Sequence, residues 1–550
     1  METNEQLFRS YIEQMQALNE FVLDYHVSHR FSGLKTSYSN EDPDVLRLLE
    51  SLAFFSARTH VSALSNIRSY RNRLYQQLFP YFLTEIPDVG ILRATTSGLL
   101  LEPTILERGT EFSLVTDKQS TYSFQTRSNL TLLPIRLKSV STELTELEGI
   151  RLKLEFSSVH KLFIAPDPLS LFLDYIGDTL SSFRILGYFR RKLVSSRVSY
   201  RDTNDRDNSG SEKWHKMEAP SFGSLPLPLD QDEHLHPIEL ERLFFHDPRV
   251  ELFLHLNLPQ PESGYNSFSV EFEFSEPWPK GLVINKEIFQ LHCVEVLNIK
   301  QIHARPITSE GKLSQYPILP SSEDDSFTFY KPLGVYQVNK EGMTPLISGI
   351  MGHNMCSYEV DAKAAWSQGR PISNLILHLP QSFDEPVVVH VDALWHQPSY
   401  AEDRDRPCKF LLFSRTLAGA TWDWAVLPVG RGISENHEQS EILLNLLQIS
   451  HKQFYSFRDI QAILDAVGCL SNDFFKDICN ALQDVRYEFR SVLGSSVTAG
   501  YVIYFLTFDM TLLEDAEEYL SLFMTHLENV LNQLSTQRKV LVTLEQGTHE

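Results

Sequence analysis

His234, His236, His246 and Asp247 lie close together in the chain, and imidazole with carboxylate is the donor set of a zinc or related transition-metal site. His353 and Cys356 form a second such pair, three residues apart and flanked by Met351 and Met355. Neither spacing carries the chemistry through. His234 and His236 sit in a polar stretch without the i, i+4 helical spacing that aims two imidazoles at one ion, and His353/Cys356 has no second pair to complete four ligands. Gly430-Arg431-Gly432 lacks the further glycine and following helix that cradle a phosphate. Gly494-Ser495-Ser496 with Gly500 misses the spacing of a nucleophile elbow. The adjacent carboxylates Asp324–Asp325 and Glu517–Glu518 follow from an acidic composition. No catalytic, cofactor-binding or metal-ligating residue is assigned, and the chain is read as a non-enzyme. A hydrolase built from distant residues is the competing class, and it requires a deep pocket with convergent polar groups and shifted pKa values at a domain junction.

The elements that would have to position any site come in three kinds. From Leu7 through Tyr11, Met15, Leu18 to Val22, apolar residues recur at three- and four-residue steps, the stripe of one amphipathic helix. A second helix is signalled by Asp42 as N-cap, Pro43 at the first helical position and Asp44 in the first turn. Its apolar residues run Val45, Leu48, Leu49, Leu52, Phe55 and on to Leu64, Ile67, Leu74 and Leu78, with Pro80 as the stop. Two long helices with so little core between them must pack on each other or on a partner.

From about Ile91 the period becomes two. ILRATTSGLLLEP, TEFSLVT, STYSFQT and NLTLLPIRLKSV read as strands, and VELFLHLNL, SFSVEFEF, LILHLP and VVVHVDALW as a second β-rich series. Residues 201–236 are polar and punctuated by Gly and Pro, and read as an exposed linker. After Glu438 helices return, with a strand YVIYFLTFD and a last helix whose capping box is Thr511/Glu514 and whose stripe is Leu513, Ala516, Leu520, Phe523, Leu527, Leu531 and Leu534. The expected fold is α+β and multidomain: 1–88 helical, 89–200 β-rich, 201–236 linker, 237–435 β-rich, 436–550 α+β.

Composition narrows the class. The 550 residues exceed what one core usually supports. Against 49 Lys plus Arg stand 71 Asp plus Glu, a net charge of −22, which repels nucleic acid and anionic membrane surfaces. The small basic groups Arg68/Arg71/Arg73 and Arg190/Arg191/Lys192 are embedded in apolar sequence and do not reverse that. Five cysteines without a CxxC fit a reducing compartment. The N-terminus lacks the pattern of a secretory signal, and the run Val502 to Phe508 is far too short to span a bilayer. The location expected from these features is cytoplasmic.

EDPDVLRLLESLAFFSART, Glu41 to Thr59, followed by LYQQLFPYFLTEIP, Leu74 to Pro87, resembles the TssF family of type VI secretion baseplate subunits, also called VasA or ImpG. Asp42, Pro43, Asp44, Val45, Leu48, Leu49, Glu50, Ala53, Phe54, Ala57, Arg58, Leu74, Pro80, Tyr81 and Pro87 carry the match. ILERGTEFSL, YSFQTRSNLTLLPIRL, LHCVEVLNIKQIHARPI, VHVDALW and the closing strand and helix are similar to later family phrases. The resemblance implies a fold similar to wedge proteins of contractile phage tails. It implies a structural role in a cytoplasmic baseplate docked to the inner-membrane complex. Its partners there are TssG, TssK and TssE, a second copy of the chain, and a VgrG-like hub. Excess apolar surface on long helices suits obligate interfaces, which singles out Val45, Leu48, Leu52 and Phe55 as partner-binding residues. A wedge subunit of a phage-derived particle that does not secrete is the nearest alternative.

Overall fold

The computed structural model describes residues 2–29, 43–96, 100, 102–144, 149–202, 213–224, 235–313, 315–322, 324, 326–339, 342–349, 356–367, 370–379, 385–412, 419–430, 436–491, 500–513, 517–535 and 538–545. The chain divides into two compact units that are not consecutive segments.

The smaller unit holds Met1–Leu78, Ser314–Pro317 and Ser348–Leu379. Its helices are α1, Glu2–His29, and α2, Pro43–Leu78, so Pro43 opens a helix as its fixed φ favours; the proposed cap, Asp42, lies outside the described residues. α2 ends where Phe79 leaves helical backbone, at φ −139° and ψ 52°, ahead of α3, Pro80–Leu83, which belongs to the larger unit. The smaller unit also contains an antiparallel ladder in which Arg370–His378 pairs with Gln315–Pro317 on one side and Ser357–Ser367 on the other. Leu375, Ile376, Leu377 and Leu379 of this ladder are buried.

The larger unit is built on antiparallel sheets. A six-stranded sheet runs 408–411, 111–116, 121–126, 293–297, 89–96, 420–429. It closes over Leu92, Phe112, Leu114, Phe124, Leu132 and Val296, with Tyr400 and Trp422 against them. A five-stranded sheet runs 215–216, 193–201, 265–274, 150–162, 135–144. The alternation of Ile150, Leu152, Leu154 and Phe156 into the core shows the two-residue period at work. Across it lies α4, Thr179–Lys192, whose Phe189 meets Phe272 and Phe274 edge-on at 5.2 and 5.1 Å. Asp178 caps this helix by accepting from the backbone N–H groups of Leu180 and Ser181.

Two further sheets run 221–222, 253–256, 169–173, 289–291, and 300–303, 387–396, 328–339, 342–345. α5, Pro237–His246, lies between the paired strands 221–222 and 253–256, and the short α6, Tyr400–Asp403, follows strand 387–396. At the C-terminal end come α7, Asn436–Ile449, α8, Phe457–Ala466, α9, Asp473–Ala481, and α10, Glu517–Leu534. Here Leu482–Ser491 pairs antiparallel with Gly500–Phe508, which pairs parallel with Lys539–Leu544. The parallel step needs a crossover, and α10 supplies it.

The mixed α+β class and the strand series stand as read from the sequence. Four readings are corrected. α4 lies inside the segment read as β-rich, where no helix was placed, because its buried side mixes Ser181, Ser182 and Gly187 with Phe183, Ile185 and Phe189 and so breaks the apolar stripe. Residues 201–236 are not wholly linker: His215–Lys216 and Ser221–Phe222 add to the edges of two sheets, and Met217 is buried. The stretches 89–200 and 237–435 are not separate β domains, since 293–297 and 420–429 flank 89–96 in one sheet. Finally, Thr511 does not cap α10; it lies in a 3-10 turn, Met510–Leu512, capped by Asp509, and Glu514 lies outside the described residues.

Candidate partner-binding surface

α1 and α2 pack as an antiparallel hairpin through small and polar contacts. Ala53 and Ala57 of α2 are fully buried, so the backbones approach closely. Ser10 Oγ lies 3.3 Å from His60 Nδ1, and Ser56 Oγ donates to Gln14 Oε1 at 2.8 Å. Leu7, Tyr11, Met15 and Leu18 of α1 are half-buried in the same seam. Of the apolar stripe singled out on α2, Leu48, Leu52 and Phe55 stand on the side turned away from α1. Leu48 is 64% exposed, Leu52 52% and Phe55 63%. They stand at i, i+4 and i+7, hence on one side of the helix. Leu64, Ile67, Leu74 and Leu78 are exposed further along, as are Phe8, Ile12 and Phe21 on α1. The side chain of Val45 lies outside the described residues.

Completing the burial of a large apolar side chain is worth roughly 1.5–3 kcal/mol, and these are already about half buried. Covering Leu48, Leu52 and Phe55 would therefore contribute roughly 3–5 kcal/mol to association. An ion pair near them, Arg47 to Asp44 at 3.8 Å, is almost wholly solvated and contributes little. What this surface can do is dock; Leu48, Leu52 and Phe55 carry no titratable group.

The residues weighed for chemistry are not brought together. His236 caps α5, accepting from Ile238 N, and stacks on Tyr81 at 4.3 Å; burial lowers its pKa. His246, at the other end of that ten-residue helix, bonds Val429 O at 3.1 Å. Asp247 holds Arg249 through both carboxylate oxygens at 2.7 and 2.8 Å. A helix of that length separates the two histidines by about 15 Å, so they cannot share one ion. Among the described residues no group of three His, Cys, Asp or Glu could hold a metal. His234, His353, Gly494, Ser495, Ser496, Arg431, Gly432 and Asp325 lie outside the described residues, as do the side chains of Glu517 and Glu518. Gly430 lies against Asp88, where an added Cβ would overlap Asp88 Oδ1. Asp324 accepts from Ser326 N at 2.9 Å, a turn contact.

Sequence reasoning missed one cavity whose wall carries several polar groups. A space of about 300 Å³ within the larger unit is lined by Arg127, Ser170, Ser224, His255, His292 and Glu295, among others. Glu295 takes Arg127 Nη1 and Ser224 Oγ, both at 2.7 Å. His255 donates from Nε2 to Gly223 O at 2.7 Å, which leaves Nδ1 to accept from Ser170 Oγ at 2.8 Å. Ser170 and His255 face each other across two paired strands, and burial pulls the imidazole pKa down, making it a weak base. His292, in left-handed backbone at φ 58°, accepts from Leu133 N. Its neighbour Cys293 is buried, and desolvation pushes its thiol up to about 12, away from the reactive thiolate. The lining groups are committed to neighbouring strands.

Comparison with known proteins decides what the surface belongs to. The family model of the type VI secretion system protein TssF matches residues 5–375, about two-thirds of the chain and all of the hairpin after its first turn. The chain belongs to the TssF family. It is accordingly a structural subunit of a type VI secretion baseplate. Two solved structures share the fold. A chain of the TssK-TssF-TssG baseplate subcomplex of a type VI secretion system superposes with a TM-score of 0.70 at 17% identity, over 92% of this chain and 99% of that one. A chain of the type VI secretion baseplate complex gives 0.58 at 16%, over 98% and 96%. No curated protein sequence matches. The relation is thus carried by the family pattern and the fold, at low pairwise identity.

Proposed function

We propose that this TssF-family chain is a non-catalytic wedge subunit that binds TssG- and TssK-like proteins, and that the outer side of α2, Val45, Leu48, Leu52 and Phe55, is a contact with their helices. The observation that carries this is the exposed leucine and phenylalanine stripe on a helix whose inner side is already filled by α1. Large apolar side chains exposed in series are the mark of a surface that another chain covers. Support for the partners comes from the solved subcomplex, in which a similar chain is assembled with TssK and TssG.

The finer assembly follows the same reading: a second copy of the chain and a TssE-like subunit in each wedge, wedges around a VgrG-like hub, and the whole on the cytoplasmic side, docked to the inner-membrane complex through the baseplate. No helix among the described residues is long and apolar enough to cross a membrane. The acidic balance, −22 overall, disfavours nucleic acid as a partner. On firing, such a subunit passes on rigid-body rearrangement at its interfaces. Catalysis is disfavoured by the cavity chemistry, where His255 has a carbonyl behind it in place of a carboxylate and Cys293 is held as a thiol.

The test is co-expression of the tagged chain with the TssG- and TssK-like proteins encoded beside it, with native mass of the eluted complex. Both proteins are expected to co-elute with two copies of this chain per TssG-like subunit. Elution of the chain alone would refute the wedge reading. If phage tail proteins are encoded there instead and co-elute with it, the non-secretory particle replaces it.

A further inference from the structure

The C-terminal sheet ends on an open edge. Leu482–Ser491 pairs on one side with Gly500–Phe508, in the register Val485 to Leu506, Tyr487 to Tyr504 and Phe489 to Val502. Among the described residues no strand pairs with its other side. The N–H of Val485 is taken by the Asp484 carboxylate at 2.8 Å, so it points away from the inner ladder. Antiparallel alternation then turns the N–H and C=O groups of Tyr487 and Phe489 outward as well. Residues 486–490 are all exposed. An edge of this kind is a template for another strand.

The order of charges along it selects which strand. It reads Asp484, Arg486, Glu488, Arg490 on one face, with Val485, Tyr487 and Phe489 on the other. We propose that this edge pairs antiparallel with the same edge of a second copy of the chain, centred on Tyr487, to form one continuous sheet across a two-fold axis. In that register Arg486 faces Glu488 of the second copy, Asp484 faces its Arg490, and Val485 faces its Phe489. Every charged pair is opposite in sign, the cross-strand arrangement that stabilises a sheet. Sliding the register by two residues in either direction, which moves the centre by one, fails. Centring on Glu488 opposes Glu488 to itself and Arg486 to Arg490, and centring on Arg486 opposes Arg486 to itself and Asp484 to Glu488. A slip of one residue sets outward N–H groups against inward ones. A uniformly charged edge would repel a second copy; this alternating one attracts it.

The strand is also held ready. Tyr487 stacks on Phe454 with centroids 4.6 Å apart, and the Arg538 guanidinium lies over both Phe454 and Phe489, at 5.2 and 4.6 Å. Fixing these rings before association reduces the ordering cost of pairing. The charged residues hold largely exposed contacts: Arg486 to Asp484 at 3.3 Å and to Glu545 at 3.1 Å, and Arg490 to Glu488 at 3.1 Å, with Tyr501 also beside Arg490. The edge lies outside the residues matched by the family model and does not depend on the hairpin reading.

Sedimentation of the full-length chain, without other subunits, tests the pairing through charge reversal and rescue. The wild type is expected to dimerise in a salt-sensitive way. Arg486→Glu, which sets like charges opposite each other twice per dimer, is expected to raise the dissociation constant about tenfold, and Glu488→Arg likewise. The double variant R486E/E488R restores opposite signs and is expected to dimerise like the wild type. Tyr487→Cys gives an independent readout. Its thiol faces its own copy at about 5.5 Å between Cα atoms, so mild oxidation is expected to yield a covalent dimer that reducing agent reverses. A wild-type chain that stays monomeric at every concentration, or a dimer indifferent to both single reversals, would overturn the proposal. Failure of the wedge reading would appear only in the co-expression experiment.

Discussion

α2 and α10 carry the same kind of pattern and meet opposite fates. In α10 the residues at helical spacing, Leu520, Phe523, Leu527 and Leu531, are at most 2% exposed, closed in by the C-terminal sheet and by α4 and α5. In α2 the equivalent series stays in solvent, and two alanines fill the contact with α1. Periodicity fixes which residues share a side of a helix; it does not say whether their cover comes from the same chain. The difference marks one helix as part of a finished interior and the other as carrying an exposed apolar side, which the proposed function reads as half of an interface.

If that contrast is right, it appears in stability. Phe523→Ala leaves a cavity in closed packing and is expected to cost about 3–5 kcal/mol in denaturant unfolding. The next largest effect is a pH dependence inside the larger unit. Burial, reinforced by nearby Arg93, holds the His292 pKa down to about 4, against about 6.5 unfolded. Between these values the unfolded chain binds the proton and the folded one does not, so stability rises with pH across this window. Acidification from pH 7 to 4 is expected to remove about 3 kcal/mol through this residue. His292→Asn, which tolerates the left-handed backbone, should flatten that part of the pH profile measured by unfolding. An unchanged slope would mean that the site is more open than its packing shows.

Asp178→Ala removes the cap of α4 and is expected to cost about 1 kcal/mol, checked by thermal unfolding. The smallest effect sharpens the comparison most. Leu52→Ala in the free chain is expected to change stability by less than about 0.5 kcal/mol, although leucine and alanine differ as much there as in α10. A loss near that of Phe523→Ala would show that α2 is covered within its own chain.

The strands, the hairpin and the closing helix were legible because their apolar residues recur at two or at three to four positions without interruption. α4 was not, since Ser181, Ser182 and Gly187 are buried beside Phe183, Ile185 and Phe189, and a helix wrapped by protein on more than one side loses its polar stripe. The interleaving of 89–96 with 293–297 and 420–429 leaves no local trace, because strand pairing across hundreds of residues is decided by which edges remain open after collapse. The residues of α2 were picked out correctly as an apolar series, yet their outward direction depended on Ala53 and Ala57, whose small size gives them little weight in any pattern. The cavity around Glu295 was invisible for the same reason as the sheet order: Arg127, Ser170, Ser224, His255 and Glu295 meet only after three separate strands and two bends have assembled.

The measurement that tests the central claim most directly is native mass spectrometry of the complex formed on co-expression with the TssG- and TssK-like proteins, comparing the wild type with the variant L48D/L52D/F55D. The account predicts a folded variant, with unfolding midpoint unchanged, that no longer enters the complex. A variant that assembles as the wild type does would contradict it and return α2 to the status of an exposed helix without a partner.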